Sequence, residues 1–148
     1  MRYIMFVKGS KKTEAGVLPT EDEMAAMGKY NEELQKAGVL LDLSGLKPTS
    51  QAVKVQFSGG KRTVIDGPFA EAKEVICGYW IIQVKSREEA IEWAKRIPAE
   101  AVEMPEVELR PFFELEDFAP GPAIDAGKEL GKKLPVGAAG AATGPHKG

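Results

Sequence analysis

Asp66 opens the stretch of this chain best equipped for chemistry: Asp66-Gly67-Pro68-Phe69-Ala70-Glu71-Ala72-Lys73-Glu74, with Gly78-Tyr79-Trp80 close behind. A carboxylate before Gly-Pro has two roles open to it. It can accept backbone N–H bonds from Phe69 or Ala70, fixing a turn in which Gly67 tolerates unusual dihedrals and Pro68 sets the next angle. It can also act as a general base or ligand anchor at the mouth of a cleft. Lys73 and Glu74 can pair across two copies, orient a substrate acid, or form a solvated charged edge. Tyr79 and Trp80 present opposite faces of one strand. One is expected beneath helices and the other is a candidate to line a ligand cleft, core packing serving for both. Arg110 lies between Leu109 and Pro111; aimed into a barrel it attracts an anionic ligand, and aimed along the sheet it pairs with Glu108 or Glu114. Arg2, at the start of the first strand, has the same two readings.

Other chemistries are poorly supplied. Cys77 is the only cysteine, which excludes an intrachain disulfide and any cysteine-built metal site. With no base in the domain, its thiol reads as a small buried group and not a nucleophile. The only histidine, His146, sits in a Gly/Ala-rich stretch, and a Ser-His-Asp or Cys-His mechanism would need that stretch folded back over the domain. No metal-ligand spacing is present, and no cofactor is expected. Gly59-Gly60 lacks the Gly-Lys-Ser/Thr of a phosphate loop.

The formal charge is -2, from 20 basic and 22 acidic residues. The Lys11-Lys12 and Lys132-Lys133 pairs are too short to offset that balance, so no nucleic-acid partner is expected. No run approaches the ~20 apolar residues of a membrane span. The apolar stretch after Met1 is too short for a signal peptide, which predicts a cytoplasmic protein.

These groups need a scaffold, and the apolar pattern supplies one. Tyr3 to Val7 reads as a strand that is apolar on both faces. Thr20 and Glu23 form a capping box; Met24, Met27, Tyr30, Leu34 and Ala37 follow at helical spacing, and Gly38 stops the helix. Val39 to Leu43 is a short strand. Val53, Val55 and Phe57 alternate with Lys54 and Gln56, predicting a strand with one buried face that turns at Gly59-Gly60 and returns through Arg62 to Ile65. Tyr79 to Val84 is a second strand apolar on both faces. A helix capped by Ser86 and Glu89 carries Ala90, Ile91, Ala94 and Ile97 and stops at Pro98. Val107 to Phe113 is the last strand.

Composition shifts at Phe118. Residues 119–148 hold no aromatic residue, seven of the 16 glycines and four of the 10 prolines. They are expected to form a tail outside a compact domain of residues 1–118, in which Ile124 to Leu134 can form a weak helical turn and Ile124, Leu130 and Leu134 can dock on a neighbour. Within the domain the order predicts an α+β fold of ferredoxin-like type, a sandwich with two helices on one face of an antiparallel sheet. Two helices cover one face only. Strands apolar on both faces therefore predict a homodimer whose sheets share a core.

The DGPF word resembles the signature of the YCII-related family. Arg2-Tyr3, Gly45-Leu46-Lys47-Pro48, Ala90-Ile91-Glu92-Trp93-Ala94 with Ile97-Pro98, and Glu108-Leu109-Arg110-Pro111 resemble that family too, over roughly residues 1–115. The resemblance implies a dimeric α+β barrel with a cleft near each DGPF loop. Some relatives act on small lactone or chlorinated aromatic products with a His-Asp pair. This domain has no histidine, which leaves Asp66 alone of such a pair. The resemblance also implies a link to alternative sigma factors. Two functions follow: a small-molecule enzyme or binder for a small anionic ligand, with Asp66 as acid–base group and Arg110, Lys73, Tyr79 and Trp80 around the ligand, or a non-catalytic module with a regulatory protein partner.

Overall fold

The structure, a computed structural model, describes residues 1–69 and 75–134. Six strands are present: β1 (Arg2–Lys8), β2 (Leu40–Gly45), β3 (Val53–Ser58), β4 (Lys61–Asp66), β5 (Ile76–Gln83) and β6 (Val107–Pro111). Four helices accompany them: α1 (Lys11–Glu14), α2 (Glu21–Lys36), α3 (Arg87–Lys95) and α4 (Pro122–Lys132). Four strands form one antiparallel sheet in the order β2-β5-β1-β6. With α2 and α3 as its helices, this is the expected ferredoxin-like arrangement.

The helix starts depend on side-chain hydroxyls. Thr20 Oγ1 accepts the Glu23 N–H at 3.2 Å and Ser86 Oγ accepts the Glu89 N–H at 3.1 Å. The second half of each expected box is redirected: Glu23 takes a hydrogen bond from the Thr20 hydroxyl, and Glu89 accepts from the Lys85 N–H. At the other end of α2, Gly38 at φ 73° lets the Gly38 and Val39 N–H groups reach the Gln35 and Leu34 carbonyls.

One face of the sheet is closed. Tyr3 and Met5 from β1 and Trp80 and Ile82 from β5 pack with Tyr30 and Leu34 of α2, Ala90 and Trp93 of α3, and Val39, Val84 and Ile97. Trp93 fills the α3 face alongside the smaller residues expected there, whereas Met24, one turn too early on α2, is exposed. Tyr30 and Trp80 meet edge-on with ring centroids 5.4 Å apart. The Tyr30 hydroxyl donates to the Trp93 carbonyl at 2.7 Å, tying α2 to α3, and burial pushes this phenol well above its ordinary pKa.

Two expectations need correction. The β3–β4 hairpin does not join the main sheet; it forms its own two-stranded sheet. Val53, Val55, Phe57 and Val64 are between 47% and 69% exposed, so the strand predicted to have one buried face buries neither. Alternation establishes that a face is apolar and is silent on what covers it. Second, the weak helical turn expected at Ile124 to Leu134 is a longer helix that begins earlier. α4 occupies Pro122–Lys132, begins at a proline suited to a first helical turn, and rests Gly127 against Leu115. Ile124 and Leu134 are half-buried and Leu130 is exposed.

Candidate functional site

Asp66 is the last residue of β4 and pairs with Val53 at the root of the hairpin. Cross-strand partners share a face, so Asp66 lies on the same side as Val53, Val55, Val64, Phe57 and Arg62. The turn at the far end needs positive φ at both Gly59 and Gly60, and they supply 54° and 80°. The root is clamped. Gly67 N–H donates to the Ala52 carbonyl at 2.8 Å. The Thr49 N–H donates to Glu14 Oε1 at 3.1 Å, and the Thr49 hydroxyl donates to the other oxygen of that carboxylate. The Gly67–Pro68 peptide is cis, and the Lys54 ammonium lies 4.0 Å from the Phe69 ring centroid.

Asp66 itself is exposed. Among the described residues its carboxylate makes no hydrogen bond or ion pair, and Phe69 does not donate to it; Ala70 lies outside the described residues. Backbone bonds and a close glycine contact hold this turn. Among the described residues the carboxylate has no partner.

The other candidates sit on the main sheet. Alternation along β1, β5 and β6 places Ile4, Phe6, Tyr79, Ile81, Glu108 and Arg110 on the face away from the helices. Tyr79 and Arg110 are therefore on one surface, and no described contact joins either to Asp66. Trp80 lies on the opposite face, 3% exposed, with its indole N–H donating to Asn31 Oδ1 at 2.8 Å. That position removes Trp80 from any ligand cleft on the open face and makes it a core residue. The Tyr79 hydroxyl donates to Asp42 Oδ2 at 3.1 Å.

The open face is not bare. Ile4, Phe6, Tyr79 and Ile81 are all half-buried. Charged side chains share this surface. Arg110 is 5.7 Å from the Phe6 ring centroid and forms a 2.6 Å ion pair with Glu108, which Lys8 also contacts at 3.2 Å. Hydrogen bonding from Lys8, with Arg110 adding to it, holds the Glu108 carboxyl below its ordinary pKa. The ion-pair reading of Arg110 is thus realised, while its side chain stays 66% exposed. Arg2 is 2% exposed, 2.9 Å from Glu114 and 4.4 Å from the Phe112 ring centroid, a structural tie and not a ligand anchor.

Cys77 is half-buried, donates weakly to the Lys8 carbonyl at 3.7 Å, and has its thiol pKa raised by burial. Lys73 and His146 lie outside the described residues. Among the described residues, no group of three or more His, Cys, Asp or Glu is placed to hold a metal ion, and no helix is long and apolar enough to cross a membrane. Sequence reasoning passed over Lys54, Arg62 and Asp42. The signal for Arg62 was present, since a two-residue turn fixes the register that sets it opposite Phe57.

Residues 1–113 match the YCII-related domain. An uncharacterised protein of Rhizobium meliloti (strain 1021) is 29% identical over 113 residues, covering 75% of this chain and 91% of that protein. Among solved structures, 5-chloro-2-hydroxyhydroquinone dehydrochlorinase from Burkholderia phenoliruptrix AC1100, complexed with 2,5-dihydroxybenzoquinone, aligns with a TM-score of 0.44 and 12% identity. The alignment covers 80% of this chain and 100% of that one. The match over residues 1–113 takes in every strand and the DGPF loop: this chain belongs to the YCII-related family.

Proposed function

We propose that this protein is a homodimer that holds a small anionic molecule beside the Asp66 loop, with Asp66 as the acid–base group. The supporting observation is that, among the described residues, nothing bonds to the Asp66 carboxylate, while backbone contacts fix Gly67 beside it. A carboxylate held on a rigid root and open to solvent can accept a proton from a bound acid or hydroxyl and return it. An anion beside a carboxylate needs a cation to hold it. The exposed side chain of Arg110 is the anchor named by the sequence. Tyr79 and Lys73 complete this reading as ligand-binding residues.

The test uses a panel of small mono- and dicarboxylates titrated into wild type, Asp66→Asn and Arg110→Gln by calorimetry in two buffers of different ionisation enthalpy. Wild type is expected to bind at least one acid with proton uptake. Asp66→Asn should bind it without that uptake, and Arg110→Gln should bind it at least tenfold more weakly. Equal binding and equal proton uptake in all three proteins would return Asp66 and Arg110 to purely structural roles.

A non-catalytic regulatory module is the second reading. It is favoured by an exposed aromatic pair beyond β6: Phe113 and Phe118 have centroids 5.2 Å apart and are both exposed. Replacing both with Ser in the full chain should abolish capture of a protein partner while leaving carboxylate binding intact. Unchanged capture would dispose of this reading.

A further inference from the structure

Phenylalanine rings in this protein are matched with cations. Arg110 lies 5.7 Å from the Phe6 ring centroid, Arg62 4.8 Å from that of Phe57, Lys54 4.0 Å from that of Phe69 and Arg2 4.4 Å from that of Phe112. The remaining phenylalanines are Phe113 and Phe118. They lie against each other with centroids 5.2 Å apart, and are 74% and 46% exposed. Among the described residues no cation stands over either ring.

Phe112 shows how a ring and an acid share a cation here. Arg2 stacks on that ring and gives Nε and Nη2 to the two carboxylate oxygens of Glu114, at 2.9 and 3.2 Å. The planar guanidinium is held on its face by the ring and along its edge by the carboxylate, an arrangement that an ammonium does not reproduce. The exposed pair offers the same two components. Phe113 and Phe118 bracket the short turn Leu115–Asp117, in which Glu116 and Asp117 are both exposed. One oxygen of Asp117 takes the Glu114 N–H at 2.7 Å, whereas Glu116 has no partner among the described residues.

We propose that Phe113 and Phe118 form a docking surface for an arginine-bearing segment of a partner protein, with a guanidinium stacked on the rings and its N–H groups donated to Glu116. The assignment rests on the protein-interaction reading of this pair and adds the partner's chemistry. Charge decides the occupant. From Phe112 to Phe118 the chain carries Glu114, Glu116 and Asp117 and no cation; Arg2 pairs with the first of them and leaves the other two. An acidic segment would be repelled there and an apolar one would leave both carboxylates unmatched, while a basic one meets them. Arginine is also among the side chains that carry the most energy in protein interfaces.

The helix that follows does not fill the place. α4 meets this turn through Gly127 and Leu115, an apolar contact, and its Lys132 is engaged with Glu129 at 2.8 Å. Phe113 is the last residue of the YCII match and Phe118 lies beyond it, so the surface is built where the family's domain joins this chain's extension.

The probe is a labelled peptide of alternating arginine and leucine, titrated into the full chain by fluorescence anisotropy beside its lysine–leucine counterpart. Wild type should bind the arginine peptide at least threefold more tightly than the lysine peptide, which has the same charge and the same apolar residues. Phe113→Ser/Phe118→Ser should weaken the arginine peptide at least tenfold and Glu116→Gln at least threefold. Circular dichroism should be unchanged, because all three side chains are exposed. Equal affinity for the two peptides, or an arginine peptide indifferent to these substitutions, would overturn the proposal. So would a sedimentation mass that falls in the Phe113→Ser/Phe118→Ser variant, which would give the pair to a contact between copies. The interaction reading fails separately. A protein partner captured equally by wild type and the double variant sinks that reading, whereas capture lost in the double variant while the arginine peptide goes unbound sinks the arginine alone.

Discussion

Gly67 stands so close to Thr49 that a Cβ built on the glycine would lie 1.8 Å from the Thr49 carbonyl oxygen. That oxygen belongs to backbone held in place by the Thr49–Glu14 bonds, so it has little freedom to retreat. The glycine of the DGPF word is therefore a packing requirement at the hairpin root. It lets the loop dock on residues 49–52, and Asp66 takes its position from that docking.

Gly67→Ala should destabilise the protein by about 1–3 kcal/mol, in the range of an overpacked site. Asp66→Asn, at an exposed group with no partner among the described residues, should stay within about 0.5 kcal/mol of wild type. Urea unfolding of the two variants separates the scaffold from the chemistry. Equal losses would mean that the carboxylate is also holding the turn.

The Trp80–Asn31 bond carries a second prediction. The indole N–H is covered by α2 and has Asn31 as its acceptor. Asn31→Leu would strand that donor in the core, at a cost of about 1–3 kcal/mol. Trp80→Phe/Asn31→Leu removes donor and acceptor together and should recover part of the loss. Thermal unfolding of the single and double variants measures the difference; no recovery in the double variant would mean the loss comes from packing alone.

Arg2 and Glu114 make a third. Arg2 is buried at the edge where β1 meets the chain leaving β6, with Phe112 stacked on it. Glu114→Gln replaces a charged acceptor of this covered guanidinium with a neutral one. A loss of about 2 kcal/mol is expected, in the range for hydrogen bonds to charged groups. An exposed pair such as Lys12–Glu103, where hydrogen bonding from Lys12 lowers the carboxyl pKa, should by contrast give a change near zero on Glu103→Gln.

Most of the scaffold was legible because its signals are local. Ser86, Thr20 and Gly38 mark helix ends through bonds made within a few residues, and short apolar runs located β1 and β5. The hairpin shows where local signals stop. Val53, Val55 and Phe57 alternate correctly, yet whether that face is covered depends on tertiary docking that alternation does not encode. α1 was missed because four residues leave no periodicity to read, although Ser10 and Thr13 form a complete capping box. At the site, Asp66 stood out by its neighbours Gly67 and Pro68. That Trp80 and not Tyr79 faces the helices depends on which side of the sheet α2 covers, and adjacent aromatic residues carry no mark of it.

The last prediction concerns acid. Glu108 has its carboxyl pKa lowered, first by hydrogen bonding from Lys8 and then by Arg110. A carboxyl whose folded pKa lies below its unfolded value, about 4.3 for glutamate, stabilises the fold fully above that unfolded value. The contribution is lost as pH falls through the lower folded value. Wild type should therefore lose stability on acidification more steeply than Glu108→Gln, whose amide has no proton to bind. Urea midpoints at pH 7 and pH 3 give the comparison: the gap between the two proteins should narrow at pH 3. A gap that stays constant would mean that Lys8 and Arg110 bind this carboxylate no more tightly in the folded chain than in the unfolded one, and the charged layer over Phe6 would then be a solvated fringe.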